Sequence, residues 1–383
     1  MGTRDECTGC MACRFVCPRS AIDMSENAEG FLYPRVNKDQ CIDCGLCDKV
    51  CPIENPIDYD HLYAQEYYAA RMRDRKERLE CQSGGICDVF SKEAIAGGKG
   101  IVYGVGFDDE WNAIHKRAAT AEEADEFRGS KYVQSDVEKV YRSIIDDIKN
   151  EGIQRIVVFG TACQIAGVKK FLEQKRQPIE KVIFVDIICH GVPSPKIWRE
   201  YLDAEGKRVK LTSLKFRDKR FGWSSHVESF MYGRKTTHSE RFTRFFYMEV
   251  INRKCCAICK YASYNRESDI TVGDFWGYEK AGLDYDSYGI SECLINTAKG
   301  NKFFSSCLDK LEVAPITKEQ ADQWNLNHPT VVDTVKRDEF WGLYQDGGYI
   351  AVRDAYCGDV IKRERKNSVF YRLKAIKRFF TGR

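Results

Sequence analysis

No stretch of this chain approaches the roughly 18 consecutive apolar residues that cross a bilayer, so no membrane-spanning helix is expected. No apolar export segment precedes the first motif at Cys7, and a cytoplasmic location is the expectation. A strong charge of one sign is also missing. The 383 residues carry a net +3, with 43% hydrophobic and 31% charged residues. With a mean hydropathy of −0.47, this is a folded, globular composition rather than a disordered one. The length allows two or three domains. The dinucleotide fingerprint is absent too: residues 104–109 (GVGFDD) start like it but lack the third glycine. No basic groove interleaved with aromatics is visible, so a nucleic-acid partner is not expected.

What the chain has in abundance is cysteine, 18 residues. Among reducing thiols, grouped cysteines more often bind metal than form disulfides. Cys7, Cys10, Cys13 and Cys17, followed by Pro18, read C-x2-C-x2-C-x3-C-P; Cys41, Cys44, Cys47 and Cys51, followed by Pro52, repeat the run. A cubane cluster takes three thiolates from a tight loop, and in two-cluster ferredoxins the fourth serves the other cluster. The spacing therefore assigns Cys7, Cys10, Cys13 and Cys51 to one [4Fe–4S] cluster and Cys41, Cys44, Cys47 and Cys17 to the other. Gly9 and Gly45 suit loops with little room for side chains. Zinc fits less well, because its sites favour two separated C-x2-C pairs.

Residues 52–66 read as a linker or docking strap. Beyond them, 100–107, 153–160 and 181–189 read as buried strands. Residues 137–152 and 164–174 read as helices, and Ser194 caps another with Pro195 in its first turn. This alternation favours a mostly parallel sheet there. Residues 211–219 and 224–233 look like antiparallel strands, 242–254 like a helix, and 269–277 like a strand ending in a loop. Cys163 then falls after one strand and Cys189 after the next, at the same rim of a parallel sheet, where open α/β folds place ligands. With the pair Cys256 and Cys259, they make four ligands for a third [4Fe–4S] cluster. Zinc and buried core thiols remain open as readings of the same four residues.

The ordered series Ser83–Gly85 (SGG), Gly129–Tyr132 (GSKY), 160–164 (GTACQ), 186–195 (DIICHGVPSP), 216–219 (FRDK) and 269–277 (DITVGDFWG) resembles the family of coenzyme F420 hydrogenase and dehydrogenase beta subunits, here with an N-terminal dicluster ferredoxin. Ala162 stands where that family usually has Pro. The resemblance implies an FAD and a [4Fe–4S] cluster beside it, on Cys163, Cys189, Cys256 and Cys259. Cys255 falls where relatives tend to have Ser and is left out. The resemblance also implies flavin contacts from Ser83, Gly84, Gly85, Gly129, Ser130, Lys131, Tyr132, Thr161 and Gln164. Glycine-bearing turns at a helix start suit phosphate, and a lysine beside a flavin can hold negative charge on the reduced ring. On their own the Ser83–Gly85 turn reads equally as a helix cap, and Lys131 reads first as a solvated lysine. His190 reads as a proton relay or as a core histidine. The basic group Arg217, Lys219 and Arg220 reads first as a solvated face. Asp274 and Trp276 read as pocket wall or as a turn.

From Lys362 to Arg383 nine Lys and Arg face one Glu, so this tail carries +8 and the rest of the chain −5. Phe370, Leu373, Lys377 and Phe380 follow helical spacing, a pattern that fits packing on the domain or weak contact with a membrane surface.

The expected fold is α+β: a ferredoxin domain (1–56), a mixed α/β flavin and iron–sulfur domain (57–350) and a basic helical tail (351–383). The expected function is a flavin-dependent iron–sulfur oxidoreductase. It would move electrons between ferredoxin-type clusters and a flavin that serves a small molecule or coenzyme F420, the family resemblance extending to surface-polysaccharide functions. A redox partner protein or reduced ferredoxin is the expected partner. The alternative is an electron carrier with no substrate of its own.

Overall fold

The computed structural model describes residues 5–56 and 63–381, with side chains described up to residue 364. Part of the 52–66 strap and the aromatic stripe at Phe370, Leu373, Lys377 and Phe380 lie outside these limits.

In the first sixty residues each cysteine run forms a loop that closes into a short helix, Ala12–Val16 and Leu46–Lys49. The residue before each helix, Met11 (φ 66) and Gly45 (φ 68), is left-handed, which turns the loop back on itself. Between the runs, β1 (Ile22–Glu26) and β2 (Leu32–Val36) form an antiparallel hairpin, paired from Ile22 with Val36 to Glu26 with Leu32.

The body contains β3 (Glu66–Met72), β4 (Gly100–Phe107), β5 (Ala113–Ala118), β6 (Arg155–Thr161), β7 (Val182–Ile187), β8 (Ser213–Lys215), β9 (Glu228–Tyr232), β10 (Lys235–Ser239), β11 (Ile270–Asp274), β12 (Ser291–Ile295) and β13 (Leu311–Pro315). Eight of them form one sheet in the order β13-β3-β12-β11-β7-β6-β4-β5. The strand–helix alternation of residues 100–205 does produce parallel pairing, β4 with β6 and β6 with β7, and β11 joins β7 in parallel. Outside this centre the sheet is antiparallel, because β5 returns from β4 by a short turn and β12, β3 and β13 pair in opposed directions.

The central strands are apolar on both faces, as strands covered on both sides must be. Val102, Val157, Ile183 and Val185 pack on one side with the helices Ile86–Ile95 and Ala298–Ser305. Ile101, Tyr103, Ile156, Val158, Val182 and Phe184 pack on the other with the helices Glu138–Lys149 and Ala162–Gln174. Cys10, Met11, Ala12, Val16 and Val50 belong to this second core. The ferredoxin module is therefore seated on the body. Tyr141 Oη donates to Cys10 O at 2.7 Å, Arg14 pairs with Glu138 at 2.7 Å, and Gln134 Nε2 donates to Thr8 O at 2.9 Å.

β8, β9 and β10 make a small antiparallel sheet. The helix expected over 242–254 ends at Tyr247. Glu249 takes φ 61, and the chain turns into a tight 3-10 turn, Lys254–Ile258, that carries Cys255 and Cys256. The final helix, Thr334–Thr381, is broken at Gly348 (φ 64) and packs Phe340, Trp341, Tyr349 and Val352 against Phe242 and Phe245. The expected tail forms its later part. Among the described residues no helix is long and apolar enough to cross a membrane.

Candidate functional site

The parallel centre fixes the geometry of the site. β6, β7 and β11 end at the same rim, so Cys163, Cys189 and Asp274 emerge beside one another. Thr161 starts the helix Ala162–Gln174 in a capping box: Gln164 Oε1 accepts from Thr161 N at 3.1 Å, and Gln164 Nε2 donates to Ser135 O at 3.1 Å. This holds the loop that presents Cys163, whose sulfur lies 3.2 Å from Thr161 Oγ1. Thr161 and Gln164 reach the site as expected, but their polar atoms are engaged in holding that loop.

Cys163, Cys189, Cys256 and Cys259 line one cavity of about 50 Å³, together with Cys255, Arg266 and the ferredoxin residues Glu6, Thr8 and Ile53. Burial pushes the Cys163 thiol well up, and the charges that add to this are those of Cys259, Cys189 and Cys256, so the four thiols share one neighbourhood. Cys189 Sγ also accepts from Gly191 N at 3.4 Å. Four converging thiols in a mostly apolar pocket, with buried Arg266 and Arg253 among their charged neighbours, fit an anionic iron–sulfur cluster. Among the described residues no three His, Cys, Asp or Glu converge closely enough for a single metal ion.

The ferredoxin thiols lie directly behind this cavity. Cys13 is pushed up first by burial and then by Cys10, Cys7 and Cys51, the set expected to share a cluster. Burial likewise raises Cys10 to about 12, and its charged neighbours include Cys7, Cys51 and Cys163. Between the two sets runs an apolar seam of Ile53, Ala162, Ala166 and Tyr261, edged by Cys51, Cys163 and Cys259. Cys17, Cys41, Cys44 and Cys47 lie toward the outside, with Cys44 exposed.

On its other side the four-cysteine cavity adjoins a larger one of about 600 Å³. Thr161, Cys189, Gly191, Val192 and Asn325 line both. The larger cavity lies within the size range of cofactor sites. Ser83, Gly85, Gly129, Ser130, Lys131, Tyr132, Thr161, Gln164 and His190 all line it. Gly85 (φ 82) opens the helix Ile86–Ile95 toward it, and Arg128 stands beside that helix start, paired with Asp88 at 2.7 Å. A glycine-led helix start with an arginine beside it is a fit for a flavin's phosphates.

Gly84 departs from the expectation. Its amide donates to Ser291 Oγ at 2.9 Å, and a Cβ there would stand 2.4 Å from Ala70 O, so it serves the contact between chain segments and does not line the cavity. Lys131 is not a solvated lysine. Its Nζ donates to Glu126 O (2.9 Å) and Arg128 O (2.8 Å), and although some of its surface faces the cavity, loss of solvation pushes it down to about 7. His190 is clamped in the cavity wall, with Nε2 2.7 Å from Glu249 and Nδ1 3.1 Å from Asn325, rather than packed in the core.

The solvated-face reading of Arg217 and Lys219 is overturned, because both are buried. Arg217 pairs with Asp274 at 2.5 Å and donates to Trp223 O at 2.6 Å. Lys219 Nζ donates to the carbonyls of Arg78, Ser83 and Tyr288 at 2.6, 2.6 and 2.5 Å. Asp274 and Trp276 are cavity wall, and Trp276, 44% exposed, stacks on buried Trp223 at 4.8 Å. Sequence reasoning missed Arg128, His226, Phe246, Tyr247, Gln323 and Asn325, which come from separate segments and share no local pattern. It also missed Arg253 and Arg266, for which proximity to Cys256 and Cys259 along the chain was the available signal.

Residues 153–319 match the family described as the carboxy terminus of coenzyme F420 hydrogenase/dehydrogenase beta subunits, and residues 6–55 match the 4Fe-4S dicluster domain. The chain is 23% identical to one of the F(420)H(2) dehydrogenase subunits of Methanosarcina mazei over 323 residues, 81% of this chain and 84% of that one. It is 28% identical to coenzyme F420-dependent sulfite reductase of Methanocaldococcus jannaschii over 174 residues, 43% of this chain but only 25% of that protein. A chain in a solved structure of the F420-reducing [NiFe] hydrogenase complex from Methanosarcina barkeri is 18% identical, covering 76% of this chain and 96% of its own, with a TM-score of 0.49.

Proposed function

We propose that this chain, in which residues 6–55 match the 4Fe-4S dicluster domain and residues 153–319 match the C-terminal domain of the coenzyme F420 hydrogenase/dehydrogenase beta subunits, is an iron–sulfur oxidoreductase that moves electrons between ferredoxin-type clusters and a flavin, FAD by the family resemblance, in the 600 Å³ cavity. The observation that carries this reading is the shared wall. The four-cysteine cavity touches ferredoxin residues on one side and the large cavity on the other, through Thr161, Cys189, Gly191, Val192 and Asn325. Bound there, iron–sulfur clusters and a flavin would supply the exchange between one-electron and two-electron chemistry.

The protein's own residues do the rest. Gly85 and Arg128 hold phosphate, Lys131 holds negative charge, and the Ile53–Tyr261 seam keeps water out from between the thiol sets. His190 lines the same cavity with its ring nitrogens held by Glu249 and Asn325, and would relay a proton to a bound substrate only on release of one of these contacts. Trp276 and Tyr247 leave an aromatic edge for the substrate at the same cavity. The acceptors this arrangement supports are coenzyme F420, which the relatives' names carry, or another small molecule, including one from surface-polysaccharide synthesis.

Anaerobic purification with iron and flavin analysis tests the reading, followed by reduction with ferredoxin, NAD(P)H and reduced coenzyme F420 in turn. The expected result is about twelve iron per chain, one noncovalent flavin, and loss of about four iron in Cys256→Ser/Cys259→Ser. About eight iron and no flavin uptake on titration would remove the cavity from the electron path. Full cofactor content without turnover of any small molecule would favour the carrier reading.

A further inference from the structure

Arg266 is 3% exposed, yet it lines the four-cysteine cavity. One side of its guanidinium faces Asp186, a fully buried carboxylate near the end of β7, at 3.7 Å from Nη1. Its Nε and Nη2 have no hydrogen-bond partner among the described residues. A buried cation with idle donors is costly unless an acceptor stands in front of it. The charged neighbours of Cys189 and Cys259 include Arg266, so its field falls on the thiols of this cavity.

Arg253 offers a contrast on the ferredoxin side. It is also buried, but its fork is satisfied: Nε donates to Cys7 O at 2.7 Å, Nη2 to Leu32 O at 2.8 Å and Nη1 to Gln134 Oε1 at 3.0 Å. One arginine fastens the ferredoxin loop, while the other lines the four-cysteine cavity with two donors that no described residue accepts from.

We infer that Arg266 is a positioning residue for the third cluster: its buried guanidinium, in the cavity wall and ion-paired with Asp186, would favour the cluster's more negative, reduced state and so raise its reduction potential. This rests on the third cluster proposed above. The step is the gain of one electron, delivered from the ferredoxin clusters, with no bond or proton exchanged. The added negative charge is what the guanidinium favours, and the low dielectric of a buried site strengthens that attraction.

The test is a potentiometric titration of the anaerobically reconstituted full chain, followed by electron paramagnetic resonance, for wild type, Arg266→Gln and Arg266→Lys. The expected result is about twelve iron in all three. In Arg266→Gln the reduction equilibrium of the third cluster should fall at least tenfold, about 59 mV for one electron. Arg266→Lys should fall less, and the two ferredoxin clusters should not move. Loss of about four iron from Arg266→Gln alone, with Arg266→Lys intact, would also support the charge requirement. An unchanged third midpoint in a twelve-iron Arg266→Gln would overturn the inference while leaving the cluster in place, and loss of iron from both variants would reduce Arg266 to a packing role. About eight iron in the wild type would instead remove the third cluster itself, and the inference with it.

Discussion

Lys219, which is buried, and Lys131, which is half-buried at the cavity, both hold backbone carbonyls, and they carry different consequences. Lys219 closes the gap between Arg78, Ser83 and Tyr288, so Lys219→Met should leave three buried acceptors bare and cost roughly 3 kcal/mol in chemical denaturation. Burial pushes Lys219 down to about 7, whereas a free lysine holds its proton to about 10.4. The unfolded chain therefore binds more protons between these values, and Lys219 makes the fold more stable as pH rises through that window. Lys219→Met should flatten that rise, and a denaturation series across the window reads it. Lys131, also pushed down to about 7, lies on the cavity instead. Its contribution should appear in flavin retention, stronger below that pH where the ammonium faces an anionic cofactor and weaker above it. Lys131→Met should remove this dependence in fluorescence titrations of flavin release. Neither lysine's placement was legible in the sequence. FRDK and GSKY are strings of ordinary surface residues until the fold places carbonyls around them, whereas the cysteine runs carry their chemistry in their spacing.

Among the elements, the helix Ala162–Gln174 meets the ferredoxin closely. Gly167 sits so close to the module that a Cβ there would stand 2.6 Å from Cys10 Cβ and 2.8 Å from its sulfur. Gly167→Ala should therefore push the first cysteine loop off the helix. The expected cost is about 1–3 kcal/mol, with weaker magnetic coupling between the clusters on either side, read by electron paramagnetic resonance of the fully reduced protein. This helix, β4, β6, β7 and the cap at Ser194 were legible because local periodicity and apolar runs coincide there with the final packing. The antiparallel flanks β3, β12 and β13 were not, because strands brought together from residues 66, 291 and 311 leave no local trace of their pairing. The early end of the helix at Tyr247 escaped for a similar reason: the turn at Glu249 serves the placement of Cys255 and Cys256, not local propensity. The rim cysteines were legible as neighbours, but the shared wall between two cavities is a property of the assembled sheet alone.

Over the whole molecule, charge and exposure run in one direction. Residues 1–60 carry 11 acidic and 6 basic side chains, and Asp39, Asp43 and Asp48 are exposed, with Lys38 and Lys49, in the same segment as exposed Cys44 and Ile42. A protein donor meeting this face should bind more slowly as salt rises. Asp43→Lys/Asp48→Lys should slow reduction by a basic donor several-fold while leaving reduction by a small chemical reductant unchanged, as stopped-flow traces would record. Charge reversal is the cleaner probe, because deleting the module would uncover the core it shares with Tyr141 and Phe171. The step from exposed Cys44 to half-buried Cys163 and Cys189 in the inner cavity also orders the damage that air would do. Oxygen reaches the outermost thiol loop first, so timed exposure should bleach the cluster signal of Cys41, Cys44 and Cys47 before any other. Material handled in air would then keep its inner chemistry while losing the terminal through which a protein donor feeds it, and would pass for an enzyme that has no partner.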